Sequence, residues 1–489
     1  MSTLKIYEDS KNYTAQVIKL PPKQTVPGLD NLVEVNVFGN SCLVGKDSPE
    51  NELYLFFPAG AQLSEAFCIA NNLFREQQLN SDPNQKGFFE VNRRVKAIKF
   101  RGIISTGFVI PVLSLPDDIH IAKGIGTILS PGDSFNEIEG YEVCRKYFVP
   151  GPTQGTPKGD KQAKINNRLT NLLIPNQFRF HVETSHLANN LHRLNPDDII
   201  VLTDKWHGSS CILAKVLIAK KLTLWQKLLN KVGGKVPDRE YGYIYSSGKP
   251  KSNLPKGIEE SYNLFFNNSE ALKKWENDNK DYYTSNIWKR AYDDHKHTLE
   301  DGISLYGELV GYTEGGQFIQ KGYDYGCIPF ASKIGKGIGS TVEYTINNEK
   351  YNAIIPPEYR FVIYRITYTK PNGEVIEFSW QQIKDYCAKY NLETVKELYF
   401  GTMGNFVPEY ACEITEMNNI NDYFFYKLQN AFNLEGMCRE CTNKVPAEGI
   451  TLRIDGKPQF LTFKLKSKLF LKKESDDLDK GETNIEDNA

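Results

Sequence analysis

The sequence predicts an α+β protein, and three observations lead to that class. Short β-like runs separated by Gly, Pro and Asn fill the chain up to about residue 145. From about 175 to 470 strand-like and helix-like periods alternate. The end, Glu474 to Ala489, is acidic and nearly free of apolar residues. A β-rich opening with this spacing suggests a small antiparallel barrel or sandwich. The mixed region after it reads as an α+β domain of catalytic size. At about 150 residues per domain the 489 residues allow two to four domains. The boundaries expected are 1–150, a linker over 151–174, a main domain over 175–473 and a disordered acidic tail over 474–489.

Each element has its own signal. In the first domain the runs are Ala15 to Leu20, Leu32 to Phe38, Glu52 to Phe57 and Arg94 to Phe100. The segment Gly151-Pro152-Thr153-Gln154-Gly155-Thr156-Pro157-Lys158-Gly159 is rich in Gly, Pro and Lys, as linkers are. Ile199-Ile200-Val201-Leu202 reads as a buried strand, and Trp380 to Tyr390 as an amphipathic helix.

Composition narrows the function classes. With 40% apolar and 24% charged residues and a formal net charge of -1, there is no global basic footprint, so a polyanion must be held by local patches. The nine cysteines are mostly scattered singly, a pattern of reducing compartments. Cys438 and Cys441 form one Cys-x-x-Cys with no second pair or His cluster nearby, which does not describe a zinc site. The N-terminus lacks a signal-like apolar region, and no apolar run reaches about 18 residues. A cytoplasmic protein with no membrane partner and no obligate protein partner is expected.

The most informative stretch is Thr203-Asp204-Lys205-Trp206-His207-Gly208-Ser209-Ser210. It places a lysine at the end of a buried strand, facing a turn that glycine permits. Desolvation there lowers a lysine pKa, and a neutral amine is a nucleophile. Alone, Lys-x-x-Gly is an ordinary surface lysine after a strand. Its company decides. Tyr306-Gly307-Glu308 sets a glutamate inside an apolar strand, where a carboxylate is costly to bury without a partner. Arg360 to Ile366 alternates with aromatics, and Tyr364 can offer a flat face to a base. Glu448-Gly449 puts a second glutamate before a strand, and Phe463-Lys464-Leu465-Lys466 turns two lysines onto one face. Singly, Glu308 is a salt-bridge partner, Glu448 a cap and the lysines solvated. Together they suit nucleotide activation: carboxylates for a divalent ion, an aromatic shelf, and lysines that neutralise phosphate while an amine attacks phosphorus.

In this order the segments resemble the covalent nucleotidyltransferases: RNA ligases, DNA ligases and mRNA capping enzymes. The resemblance runs through Lys205 to Gly208, Tyr306 to Glu308, Phe361 to Ile366, Glu448-Gly449 and Lys464 to Lys466, over about 300 residues. His207, the absence of a further domain after Lys466 and the β-rich opening with Arg94 to Phe108 look like the Deinococcus/Naegleria-type RNA ligases. That resemblance implies an OB-like N-terminal β-barrel and an ATP-grasp-like adenylyltransferase domain of two antiparallel sheets with flanking helices.

It also implies an ATP-dependent RNA ligase that seals 3′-OH/5′-phosphate ends through lysyl-AMP and RNA-adenylate. Lys205 would carry AMP, and Lys464 and Lys466 would contact the α-phosphate. Asp204, His207 and Gly208 would lie at the nucleotide, Asp204 near the adenine edge. Tyr364, ahead of Phe361, would stack on adenine. Glu308 would meet ribose or metal waters, and Glu448 would bind Mg2+ or Mn2+ directly or through water. Departures are Ser209-Ser210 after the glycine, Tyr245-Ser246-Ser247-Gly248-Lys249 without the usual arginine, and Tyr364-Arg365-Ile366 in place of Phe-Asp-Ile. A DNA ligase or GTP-using capping enzyme is the second enzyme reading. A catalytically silent nucleic-acid-binding protein is the reading from another class.

The stretch from Lys215 to Lys256 is locally basic, with Trp225, Tyr241, Tyr243 and Tyr245 interleaved. It suits an RNA backbone with unstacked bases, held by Lys220, Lys221, Lys227 and Lys249. It equally suits a solvated hairpin whose tyrosines face a core at strand period.

Overall fold

The computed structural model describes residues 3–50, 52–117, 119, 129–149, 166–167, 169–220, 222–248, 254–258, 285–330, 341–346, 349–408 and 417–482. The fold is α+β with antiparallel and mixed sheets. Among the described residues no helix is long and apolar enough to cross a membrane.

The N-terminal runs become strands nearly where expected, at Ala15–Lys19, Leu32–Val37 and Leu53–Pro58. A four-stranded sheet runs in the order Ser134–Phe135, Ala15–Lys19, Leu53–Pro58, Gly107–Pro111. The Leu32–Val37/Asn40–Gly45 and Ile98–Phe100/Ile103–Ser105 hairpins stand as separate ladders. The described strands therefore form several small sheets and do not close into one barrel. Of the Arg94 to Phe100 run only Ile98–Phe100 is strand. Arg94 makes an isolated antiparallel bridge with Gln62, and its side chain pairs with Asp479.

The main domain is built on two sheets. The first has the order Ser185–His186, Leu461–Lys466, Gly449–Ile454, Ile199–Lys205, Glu397–Thr402. The second runs Gly257–Ile258, Arg239–Ser247, Ser209–Ala219, Ile303–Gly311, Tyr359–Thr369, Val375–Glu377. Ile200, Leu202, Ile450, Leu452 and Phe463 face a core shared with Phe424, Phe425 and Leu428, so the opposite face of the first sheet is left for the site. Trp380–Tyr390 is a helix, opened by a capping box between Ser379 and Gln382. Leu169, Leu172 and Leu173, expected in the linker, pack instead on Ala214, Val216 and Ile218. The Gly/Pro/Lys-rich stretch itself lies outside the described residues.

The last described element is the helix Lys468–Asp479, which occupies part of the segment expected to be a disordered tail; residues 483–489 lie outside the described residues. Its acids are matched rather than merely solvated. Glu474 pairs with Lys466 at 2.9 Å, Asp477 with Lys473 at 2.5 Å, and Asp476 with Lys472 one turn away. The helix also meets the N-terminal domain. Lys96 reaches Asp479 at 2.9 Å, the Ala97 N–H donates to Ser475 Oγ at 3.0 Å, and Lys468 Nζ donates to Ser41 Oγ at 3.0 Å.

Candidate active site

Lys205 is the last residue of its strand, at the point where the chain crosses from one sheet to the other. Gly208 makes the crossing possible. A Cβ there would lie 2.5 Å from the Leu309 carbonyl oxygen and 2.7 Å from Val310 Cγ1, so only glycine lets the second sheet approach this closely.

Register decides which side chains meet. Lys205 is opposite Gly449, which is opposite Lys466; Thr203 is opposite Thr451, which is opposite Lys464. Residues directly opposite in a ladder share a face, so Lys205 on one strand and Lys464 and Lys466 on another, with Gly449–Ile454 between them, lie on one side of the first sheet. Gly449 sits at φ 153°, and a Cβ there would stand 2.1 Å from the Leu465 carbonyl oxygen. The two outer strands are thereby held tight around the position facing Lys205.

The amine is not simply desolvated, as the sequence suggested. Lys205 Nζ lies 2.8 Å from Glu448 Oε1. Glu448 is 2% exposed. Burial pushes its carboxyl up, but the charge of Lys205, then His207, outweighs burial and holds it well below the usual carboxylate range. His207 Nδ1 is 3.6 Å from Glu448 Oε2, and its Nε2 meets the Gln320 amide at 2.5 Å. A Gln320 N–H donating to Nε2 leaves the proton on Nδ1, toward Glu448. Tyr323 and Phe470 box the ring at 4.8 and 4.9 Å. His207 thus sits behind Glu448 and is buried, rather than lining the cleft.

A cleft opens on the free face of the first sheet, enclosing about 630 Å³ of empty space including open solvent. Asp204, Lys205, Glu308 and Tyr364 line it, with Trp206, His181 and Phe460. Glu308 pairs in register with Ser210, and Ser210 Oγ lies 3.2 Å from the Tyr364 hydroxyl. Tyr364 reaches the cleft through a bulge: Tyr306 pairs with Arg365 and Gly307 with Ile363, leaving Tyr364 as the extra residue. Phe361 takes the other face. It is 4% exposed, packs in the core against Gly307 and lies 5.5 Å from His295, away from the cleft. Asp204 points its carboxylate at Arg439, 2.9 Å away, so only the remainder of the residue faces the cleft. Burial raises its pKa against the pull of Arg439.

Lys464 lies 3.8 Å from Glu183 and Lys466 2.9 Å from Glu474. Neither glutamate was singled out in the sequence. His181 was missed as well. Its ring stands 5.1 Å from Tyr364 and 5.7 Å from Phe460, and its buried Nδ1 has no hydrogen-bond partner among the described residues. Burial first, then the charges of Arg365, Lys205 and Lys464, pushes its pKa down to about 3. Arg365 stacks on Tyr306 at 4.5 Å and on Phe460 at 4.4 Å, and pairs with Glu377. The Tyr245 to Gly248 segment is adjacent: the Gly248 carbonyl accepts from the His181 N–H at 3.1 Å. Lys249 and Lys221 lie outside the described residues. Lys220 pairs with Glu240 at 3.1 Å and Lys227 is exposed on a helix. From Ser210 to that helix the strand runs on for nine residues, about 30 Å at 3.3 Å per residue.

The oxygen donors Glu448 and Glu308 have the chemistry of a hard divalent cation. Among the described residues no group of three or more His, Cys, Asp and Glu side chains converges on one point. Such an ion would therefore take most of its ligands from phosphate oxygens and water, the usual situation for magnesium at a nucleotide.

No family model and no curated protein matches the sequence. Among solved structures the chain is similar to RNA ligases. They are structures of Naegleria gruberi RNA ligase. One variant, with AMP and Mn, has 11% identity and a TM-score of 0.46 over 94% of this chain and 99% of that one. A second, with ATP and Mn, has 12% identity and a TM-score of 0.45 over 96% and 99%. A third, an apo structure, has 12% identity and a TM-score of 0.47 over 94% and 98%. At these values the likeness describes overall shape, and the reading of the cleft rests on its own residues.

Proposed function

We propose that the protein is an ATP-dependent RNA ligase that joins a 3′-OH to a 5′-phosphate. One observation carries this reading: the ladder that puts Lys205, Lys464 and Lys466 on one sheet face, with Glu448 2.8 Å from Lys205 Nζ. Each of the three ammonium groups is held by a glutamate, which fixes their positions on the face where phosphate oxygens would be met. The aromatic ring of Tyr364 and the carboxylate of Glu308 on the facing wall suit a base and a ribose.

In the proposed reaction the Lys205 ammonium gives up one proton to solvent, and the neutral Nζ attacks the α-phosphorus of ATP, losing its second proton to solvent as the phosphoramidate forms. A nitrogen–phosphorus bond forms, the bond to the β-phosphate oxygen breaks, and pyrophosphate leaves. Glu448 orients Nζ beforehand, and His207 holds Glu448 in place. Lys464 and Lys466 offset the charge that grows on the α-phosphate oxygens. A 5′-phosphate oxygen of RNA then takes the AMP from Lys205, and a 3′-OH displaces AMP to form the phosphodiester. Tyr364 would stack on adenine, and Glu308 would meet the ribose. A magnesium or manganese ion near Glu448 and Glu308 would supply further neutralisation of phosphate charge.

Incubation with each α-labelled nucleoside triphosphate tests the reading. The expected result is an acid-labile, covalent adduct from ATP, absent in Lys205→Ala and Lys205→Arg, the latter because arginine stays protonated. An adduct from GTP and not ATP would favour capping chemistry, and no adduct from any nucleotide would favour a silent binding protein. Sealing of a nicked duplex whose 3′-OH strand ends in RNA or in DNA then decides between the ligase classes.

A further inference from the structure

The helix Leu224–Lys231 lies between two strands of the second sheet, Ser209–Ala219 and Arg239–Ser247, and takes no part in the cleft. None of its residues is buried. Leu224 is 85% exposed, Trp225 76%, Leu228 51% and Leu229 48%, and Val232 just beyond is 74% exposed. At 100° per residue these five side chains span an arc of about 140°. Lys231 and Lys227 follow along one border of that arc, while Gln226 and Asn230 fill the back.

An eight-residue helix with no core to pack on is marginal in water, yet this one is fully built. Thr223 and Gln226 form a capping box at its start. At its end the Asn230 amide donates to the Val236 carbonyl at 2.9 Å, and its oxygen accepts from the Val236 N–H at 2.7 Å. A contiguous exposed patch of Leu, Trp and Val on a pre-formed helix is an interaction surface.

Charge identifies the partner. Between Lys215 and Pro237 the chain has six lysines and no acidic residue, within a protein of net charge -1. Lys227, Lys231 and Lys235 are all exposed. Aliphatic side chains offer nothing to a phosphate backbone and little to a stacking base. A tryptophan and leucines on one side with lysines at their border match a surface that is apolar below and anionic at its rim. We infer that this helix docks the protein in-plane onto a bilayer containing anionic phospholipid, with Trp225, Leu224, Leu228 and Val232 entering the headgroup–acyl boundary. This peripheral contact needs no membrane-crossing helix, of which there is none among the described residues, and it does not depend on the chemistry assigned to the cleft.

Flotation of the full chain with vesicles tests it. The protein should float with phosphatidylcholine/phosphatidylserine vesicles and not with phosphatidylcholine alone, and raising salt should release it. Trp225→Glu and Leu228→Glu, both at exposed positions, should each reduce the floated fraction about tenfold with unchanged thermal melting. Lys227→Glu combined with Lys231→Glu should abolish the preference for phosphatidylserine. Absence of flotation, or flotation that Trp225→Glu leaves intact, would overturn the inference. So would loss in these variants of RNA retention or of self-association while vesicles stay unbound, since the patch would then serve RNA or a second copy.

Discussion

Two sets of lysines in this molecule differ in everything but residue type. Those on the cleft side of the first sheet lie on two strands with a third between them, largely screened from solvent, and each faces a glutamate: Lys205 with Glu448, Lys466 with Glu474, and Lys464 with Glu183 at longer range. Those of the helix and the loop after it, Lys227, Lys231 and Lys235, are exposed, in a stretch with no acidic residue. The first arrangement spends desolvation to fix positions, which chemistry at one phosphorus requires. The second makes a field without fixed positions, which suits attraction to a surface.

The comparison can be broken most severely at Lys205. Removing one partner of a buried pair leaves the other uncompensated, so Lys205→Ala should cost about 3–5 kcal/mol of stability at pH 7 as well as the nucleotide adduct. The sign with pH follows from Glu448. Its folded pKa is depressed, so the stability it contributes is present above the unfolded carboxylate value and is lost as pH falls. The deficit of Lys205→Ala against wild type in urea unfolding should therefore shrink below about pH 4. A deficit that grows in acid would show that the pair does not hold Glu448 ionised. Next in size, Gly208→Ala should cost about 1–3 kcal/mol, because the new methyl meets backbone rather than a movable side-chain end. Unchanged melting there would mean the sheets part easily at the crossing.

A smaller effect sits at His181. Its folded pKa is pushed down to about 3, so below about 6.5 the unfolded chain takes up a proton that the folded chain refuses. Stability is full above that pH and falls as pH drops toward 3. His186, also lowered, first by burial and then by Lys464 and Lys466, adds to the same slope. His181→Asn should reduce the acid slope of unfolding free energy by about one proton; an unaltered slope would place His181 in contact with solvent. Smallest of all, Lys227→Gln should change stability by less than about 0.5 kcal/mol and leave the nucleotide adduct unchanged. Intact mass after incubation with ATP reads the second part.

Much of the cleft was legible in the sequence because strand alternation carries it. An apolar run ending in Lys205, and lysines two apart at 464 and 466, required only that the strands pair in the observed register. What alternation cannot supply is the bulge that adds Tyr364 to the cleft wall, or the loop that brings His181 to it. His207 shows a different limit. The family resemblance implied a nucleotide contact for it, and the structure buries it among Tyr323, Phe470 and Gln320, 3.6 Å from Glu448. The acidic end was misjudged because composition was read without spacing. Lys472 and Lys473 lie four residues before Asp476 and Asp477, an arrangement that favours a helix.

That terminal helix has a mechanical meaning. Glu474 grips Lys466, on the sheet face that carries Lys205, while Ser475 and Asp479, less than two turns further on, grip residues 96 and 97 near the start of the chain. Distant parts of the chain are thus buckled together by one short rod, and the buckle holds a lysine of that sheet face. A shift of the N-terminal domain would be felt at Lys466 without any signal crossing the core.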